Sequence, residues 1–200
     1  FNRYINGRGI EWNNGRTFLI GLSELIIYSG YNRPIDFSYF NPMSTHLEIE
    51  LNNRQNNSGN TSGNGVWQIS VDYLFMDRVR LSGNYLFDEF TLDSEQLEQG
   101  KGSGTGHSFQ MLYTIINNKK SIASLYFSKI SVGTNTFKHQ IGNNNFVQRG
   151  KPLGWQIGSD SKELKLGFNI SFNSIITNIE IGNRDIGEQN IYNNPYLGYI

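Results

Sequence analysis

The chain of 200 residues contains no cysteine, which excludes a disulfide scaffold and a thiolate metal site and is compatible with any compartment. It also lacks net charge, because 17 Lys and Arg balance 17 Asp and Glu. No bulk field therefore recruits nucleic acid or an anionic surface, and nucleic acid drops out as a partner. Charged residues make up 17% of the chain, well under the ~25% of an ordinary soluble domain. No apolar run approaches the ~18 residues of a membrane helix, so any crossing of a bilayer would be by strands. Catalytic signatures are equally sparse. The histidines are His46, His107 and His139 only, and there is no Gly-x-Ser-x-Gly elbow. The glycine-rich run from Gly100 to Gly106 lacks Gly-x-Gly-x-x-Gly spacing and opens no helix, so it reads as a loop tip rather than a nucleotide site. No cofactor is implied.

What the chain does contain is aromatic side chains, at 14%, and glycine, at 22 residues, together with abundant asparagine. That composition favours turn-rich β structure. Arg3 to Trp12 and Arg16 to Tyr28 form a first hairpin through Asn13-Asn14-Gly15, a tight-turn signature. On its second strand Phe18, Ile20, Leu22, Glu24 and Ile26 share a face with one carboxylate out of character, and the opposite row is hardly more polar. Its facing stays open. Further on the alternation is clear: Trp67, Ile69, Val71, Tyr73 and Phe75 against Gln68, Ser70 and Asp72; then Val79, Leu81, Gly83, Tyr85 and Phe87; then Phe109, Met111, Tyr113 and Ile115. Leu164, Leu166, Phe168, Ile170 and Phe172 alternate with Glu163, Lys165, Gly167, Asn169 and Ser171, and Ile175 to Ile181 follows. The one break is near Asn41. Asn41 as N-cap, Pro42 at the first helical position and Met43, Leu47 and Leu51 at spacings of four argue for a short helix, while Leu47, Ile49 and Leu51 argue for a strand; the cap decides for the helix.

The connections alternate between tight turns (Asp77-Arg78, Asn117 to Lys120, Asn173-Ser174) and long polar loops (Asn52 to Gly65, Thr91 to Gly106, Asn135 to Ser161). That asymmetry, with strands of about ten residues, is the pattern of an outer-membrane barrel. The expected fold is all-β: an antiparallel transmembrane β-barrel with a short helical element and long loops. Residues 1–200 are expected to be part of a single barrel domain, wider than the strands seen here, with an N-terminal portion and possibly C-terminal strands lying outside the sequence. A soluble sandwich also alternates, but its apolar rows are less aromatic than these.

The least periodic segment, Thr136 to Ser161, carries the candidate site. His139, Gln148, Arg149, Trp155 and Asp160 combine polar and aromatic groups of the kind that stack on sugars and hydrogen-bond their hydroxyls. The competing reading is that Gly150, Pro152, Gly154 and Gly158 shape a loop that plugs the barrel. Asp88 is expected to face a water-filled interior. Hydrolysis of a glycan would need two carboxylates on facing walls, for which Asp88, Asp160 and Glu24 are the only candidates. His46 with Glu48 and Glu50 share a face only on a strand, and a solvated polar face explains them better than a metal.

Several of these runs resemble the capsule-assembly Wzi family: Thr136, Phe137 and His139; Gly150-Lys151-Pro152-Leu153-Gly154; Ile157 to Asp160; Gly21 to Glu24 followed by Tyr39 to Pro42; and Leu86 to Phe90. The chain departs from that pattern at Phe137, where an aromatic hydroxyl is expected, at Gln148-Arg149, and at Ser159 in place of proline. The resemblance implies an outer-membrane barrel, with a small helical element by Asn41 and Pro42, that holds capsular or other surface polysaccharide at the cell surface and does no catalysis. On that reading Glu24, Asn41, Pro42, Asp88, Gly154 and Gly158 are lumen or structural positions, and the partners are the polysaccharide and the lipid of the outer membrane. A porin-like barrel, or one that transports a hydrophobic substrate, is the alternative; it needs an open lumen.

Overall fold

A computed structural model describes residues 1–45, 49, 63–89, 104–139 and 142–191. The His46, Glu48 and Glu50 group, Leu47 and Leu51 of the expected helix, Phe90, and most of the two polar loops before Gly63 and before Gly104 lie outside them.

Eight long strands form one antiparallel sheet: β1 (Asn2–Asn13), β2 (Phe18–Gly30), β3 (Asn64–Met76), β4 (Val79–Glu89), β5 (Gly104–Asn117), β6 (Ser121–Val132), β9 (Ser161–Phe172) and β10 (Ile175–Ile186). Each strand pairs with its neighbour in sequence, and β6 pairs with β9 across a two-stranded hairpin, β7 (Val147–Gln148) and β8 (Lys151–Pro152). The sheet is open, with β1 and β10 as its edges. Local chemistry sets the turns. Asn14 Oδ1 accepts from the N–H groups of Arg16, Thr17 and Phe18 at 3.0, 2.8 and 3.0 Å, which closes the first hairpin. Asn118 Oδ1 accepts from the N–H groups of Lys120 and Ser121 at 3.0 and 2.9 Å in the turn before β6.

The register sorts the side chains into two faces, since directly paired residues stand side by side. Phe18, Tyr73, Leu81, Met111, Phe127, Leu166 and Ile181 form one continuous row from β2 to β10. The adjacent row on the opposite face holds Leu19, Asp72, Ser82, Gln110, Ser128, Lys165 and Gly182. One face is thus apolar and the other polar. The apolar face is open to its surroundings even on inner strands: Phe109, Met111 and Leu125 are 43%, 42% and 40% exposed.

Two findings correct the expectations. Asn41 is not the N-cap of a helix at Pro42: it closes a 3-10 turn over Phe37–Phe40, with Asp36 as that turn's N-cap, and then folds its side chain onto the Met43 N–H at 3.1 Å. Tyr39 drives this choice, because its ring stacks on Tyr28 with centroids 4.6 Å apart and is fully buried. Among the described residues helical backbone is otherwise limited to a 3-10 turn at Gly142–Asn144 and one α-type hydrogen bond from the Ile49 N–H to the Thr45 carbonyl, 3.1 Å. The second correction concerns Glu24, which stands on the apolar face rather than with Asp88 on the polar one. Arg8, Glu24, Trp67 and Phe87 share a row. There Glu24 pairs with Arg8 and accepts from Trp67 Nε1, and Pro42 to Thr45 lie over the same cluster.

Candidate functional site

The segment between β6 and β9 does not project outward. It lies across the polar face at the end of the sheet where the long loops are. Phe137 and Phe146, buried with ring centroids 6.0 Å apart, form a core with Ile27, Val66, Val132 and Ile191, against which Leu86, Ile130, Val147 and Trp155 pack. The sheet residues of that core belong to β2, β3, β4 and β6. Polar bonds extend the contact to the far edge: Arg3 of β1 donates to the carbonyls of Asn143 and Asn145 at 2.8 and 2.6 Å and to Gln148 Oε1 at 2.7 Å. Ser29 donates to Asn144 Oδ1 at 2.5 Å, and Asn64 Nδ2 to the Asn144 carbonyl at 3.1 Å. Asp88 accepts the Phe137 N–H and is buried beneath the segment, so it anchors the lid instead of facing open water. The neck is closed by Asp160 N–H donating to the Gly133 carbonyl at 3.1 Å.

Two glycines are required here. At Gly154 a Cβ would stand 2.6 Å from the Phe137 ring. Gly158 has φ of +84°, and a Cβ would meet Ile191 Cγ2 at 2.5 Å. Both positions are structural, and any side chain would lift the lid from its core.

The five candidate sugar-binding residues are not gathered together. Gln148 and Arg149 are exposed on the β7–β8 hairpin, whose tip is Arg149 (φ +52°) and Gly150 (φ +72°). The His139 N–H donates to Asn145 Oδ1 at 2.7 Å inside the loop. Asp160 lies at the neck, where its Oδ2 accepts the Gln189 N–H at 2.9 Å. Asp160 also lines a groove at the end of the sheet, and Trp155 reaches a cavity on the polar face. That cavity, about 310 Å³, is walled by Gln110, Tyr126, Glu163, Lys165, Asn169 and Glu180 among others. Its floor is a charge ladder across three strands. Glu163, nearly buried, accepts from Arg184 Nη2 at 2.6 Å and pairs with Lys165 at 3.0 Å; Lys165 lies 3.6 Å from Glu180, which accepts from the Tyr126 hydroxyl. Above it, Trp155 Nε1 is buried and donates to no acceptor among the described residues. A buried donor left so is costly.

An aromatic side chain set over alternating carboxylates, amines and amides can hold a hydroxyl-rich ligand by stacking and by hydrogen bonds to those polar groups. The three carboxylates weighed for hydrolysis do not oppose one another, since Glu24 and Asp88 lie on opposite faces and Asp160 is tied to Gln189. Among the described residues no cluster of His, Asp and Glu suited to a metal occurs. The ladder escaped sequence reasoning except at Glu163 and Lys165, whose charges on one face of an otherwise apolar strand were the available signal; Arg184 and Glu180 join them only through the β9–β10 register.

Lys138 is a further residue that the sequence did not single out. It is 2% exposed and its amine donates to the Gln189 carbonyl. Burial pushes its pKa below the ordinary 10.5, opposed by the nearby Asp160 carboxylate. Folding therefore carries the cost of a desolvated ammonium at neutral pH, and that cost is relieved as pH rises through the lowered pKa toward 10.5. Hydrogen exchange of the lid amides should show protection increasing over that window, corrected for intrinsic exchange. In K138M the increase should vanish; an identical profile in both proteins would show that Lys138 is not the titrating group.

The fold and its lid define a class, a two-faced antiparallel meander with one polar face covered at one end. No family model, curated protein or solved structure matches this chain.

Proposed function

We propose that this chain forms part of a single outer-membrane β-barrel, its apolar face toward lipid and its polar face toward the lumen, that binds capsular or other surface polysaccharide without catalysis. The observation that carries the reading is Trp155, held by the lid over the Glu163, Lys165 and Glu180 ladder. Strand length agrees. A strand of 12 residues is about 40 Å long and, tilted by about 40°, covers about 30 Å, the thickness of a bilayer's hydrocarbon core. Short motifs resembling the Wzi family point the same way, and two of them, around Phe137 and Gly154, meet within the lid. A transporting barrel fits less well, because a lid bonded from β1 to β9 obstructs the path a solute would take. The edges β1 and β10 are then the places where further strands of a wider barrel pair.

Replacing Trp155 by Ala tests the assignment. On an array of purified capsular polysaccharides, W155A should bind about tenfold more weakly than the parent, the loss expected when one aromatic contact is removed. R149A, at the exposed hairpin tip, is the comparison and should lose less. Equal binding by W155A and the parent would remove the cavity from the proposal.

A further inference from the structure

The cations of the large sheet separate into two groups. Arg3 is bonded to lid carbonyls, Arg8 to Glu24, Arg80 to Asp72, and Lys165 and Arg184 to Glu163. The remaining pair, Lys129 and Lys162, are exposed and make no ion pair with any described residue. They are also neighbours on the apolar face. His107, Ser131 and Lys162 are directly paired across β5, β6 and β9, and the next row is Phe109, Lys129 and Leu164. Lys129 is thus the diagonal neighbour of both His107 and Lys162, at a Cβ spacing of about 7 Å. Lysine stems of that length can converge on one anion while lying along apolar side chains.

The position is specific. Below this group the face is continuous Phe, Met, Leu and Ile; above it begins the polar rim at the lid end. A groove of about 530 Å³ opens beside Lys162, walled also by Thr105, His107, Ser131, Asp160 and Asp185. Hydroxyls and an imidazole flank the Lys162 amine. Asp160 and Asp185, the latter opposite Lys162 in the β9–β10 register, are carboxylates in the same wall, and Lys129 stands just outside the groove. Two ammonium groups with no ion pair among the described residues, at the boundary between an apolar belt and a polar rim, are complementary to a phosphate whose acyl chains continue down the belt.

We infer that Lys129 and Lys162, assisted by His107, bind the headgroup phosphate of a lipid in the leaflet on the lid side. This rests on the proposal that the apolar face meets lipid. The site is separate from the Trp155 cavity, which lies on the opposite face.

The test uses the full chain with phosphatidylcholine vesicles, with and without phosphatidic acid, and native mass spectrometry of the lipids it retains. The parent should associate with both vesicles and retain phosphatidic acid preferentially. K129Q/K162Q should associate equally well with phosphatidylcholine but retain phosphatidic acid about thirtyfold less, from roughly fivefold per lysine near an anionic surface. R80Q, on the polar face, should retain it as the parent does. Association with phosphatidylcholine and no lysine-dependent preference would overturn the phosphate site and leave the barrel reading standing. Failure of the parent to associate with either vesicle would overturn both. Displacement of phosphatidic acid by an equal concentration of inorganic phosphate would identify a free-anion site and overturn the lipid assignment.

Discussion

Trypsin should cut the F137A variant after Lys138 at a concentration that leaves this bond intact in the parent. Phe137 is the centre of the contact between lid and sheet: it is 4% exposed, packs on Phe146, and joins the apolar group contributed by β2, β3 and β6. Truncating a buried phenylalanine to alanine costs about 3–5 kcal/mol. The hydrogen bonds that remain, among them those from Arg3, Ser29, Asn64, Thr136 and the residue-137 N–H to Asp88, contribute about 1 kcal/mol each and do not replace the lost packing, so the lid should open locally while the sheet persists. Lys138 follows Phe137 and is buried within the lid, whereas Arg149 is exposed at the hairpin tip and provides an internal reference. The expected result is unchanged cleavage after Arg149, new cleavage after Lys138, and an unaltered β signal by circular dichroism. In planar bilayers the same variant should pass more current than the parent, because the proposed lumen loses its cover. Protection of Lys138 in F137A would mean that polar bonds alone hold the lid.

The strands were legible because their signal is local. Trp67 to Phe75 and Leu164 to Phe172 alternate with a period of two, and Asp77-Arg78 and Asn173-Ser174 are short polar interruptions, so elements and most turns follow without tertiary knowledge. Strand β2 was not legible in its facing, for a physical reason. Ile27 belongs to the polar face, yet it is apolar because Phe137 and Phe146 cover it; the requirement comes from a segment more than a hundred residues later in the chain. The Asn41-Pro42 signature misled in a similar way. It is a sound local start for a helix, but the stacking of Tyr39 on Tyr28 holds the preceding residues in a 3-10 turn and makes Asn41 its end.

The candidate site was legible as a segment and not as a constellation. Composition singled out the run containing His139, Gln148, Arg149, Trp155 and Asp160, and the lid is that run. Which of them meets a cavity depends on the direction in which the lid crosses the sheet. Here it turns Trp155 over β5, β6 and β9 and leaves Arg149 on an outer hairpin. Glu24 was visible as a misplaced carboxylate. Its partner was not legible: a two-residue turn at Asn14-Gly15 would set Arg8 opposite Gly21, whereas the hairpin turns about Arg16 and so sets Arg8 opposite Glu24.

That pair gives the second large effect. Replacing Glu24 by Leu should lower stability to urea by about 3–5 kcal/mol, the usual consequence of leaving one member of a buried ion pair without its counter-charge. The side chains of Arg8 and Glu24 are 14% and 9% exposed, so solvent screens the stranded guanidinium poorly. Trp67 Nε1 also loses its acceptor. The double variant R8M/E24L should recover most of the loss, because two apolar side chains of similar volume need no counter-charge on an already apolar face. Refolding titrations of the parent, both single variants and the double variant close the cycle. A double variant as unstable as E24L would show that the cost came from packing instead of charge. The same double variant separates architecture from recognition. Glu24 lies on the face opposite Trp155, so R8M/E24L should bind polysaccharide as the parent does, and a loss of binding with stability restored would return Glu24 to the site.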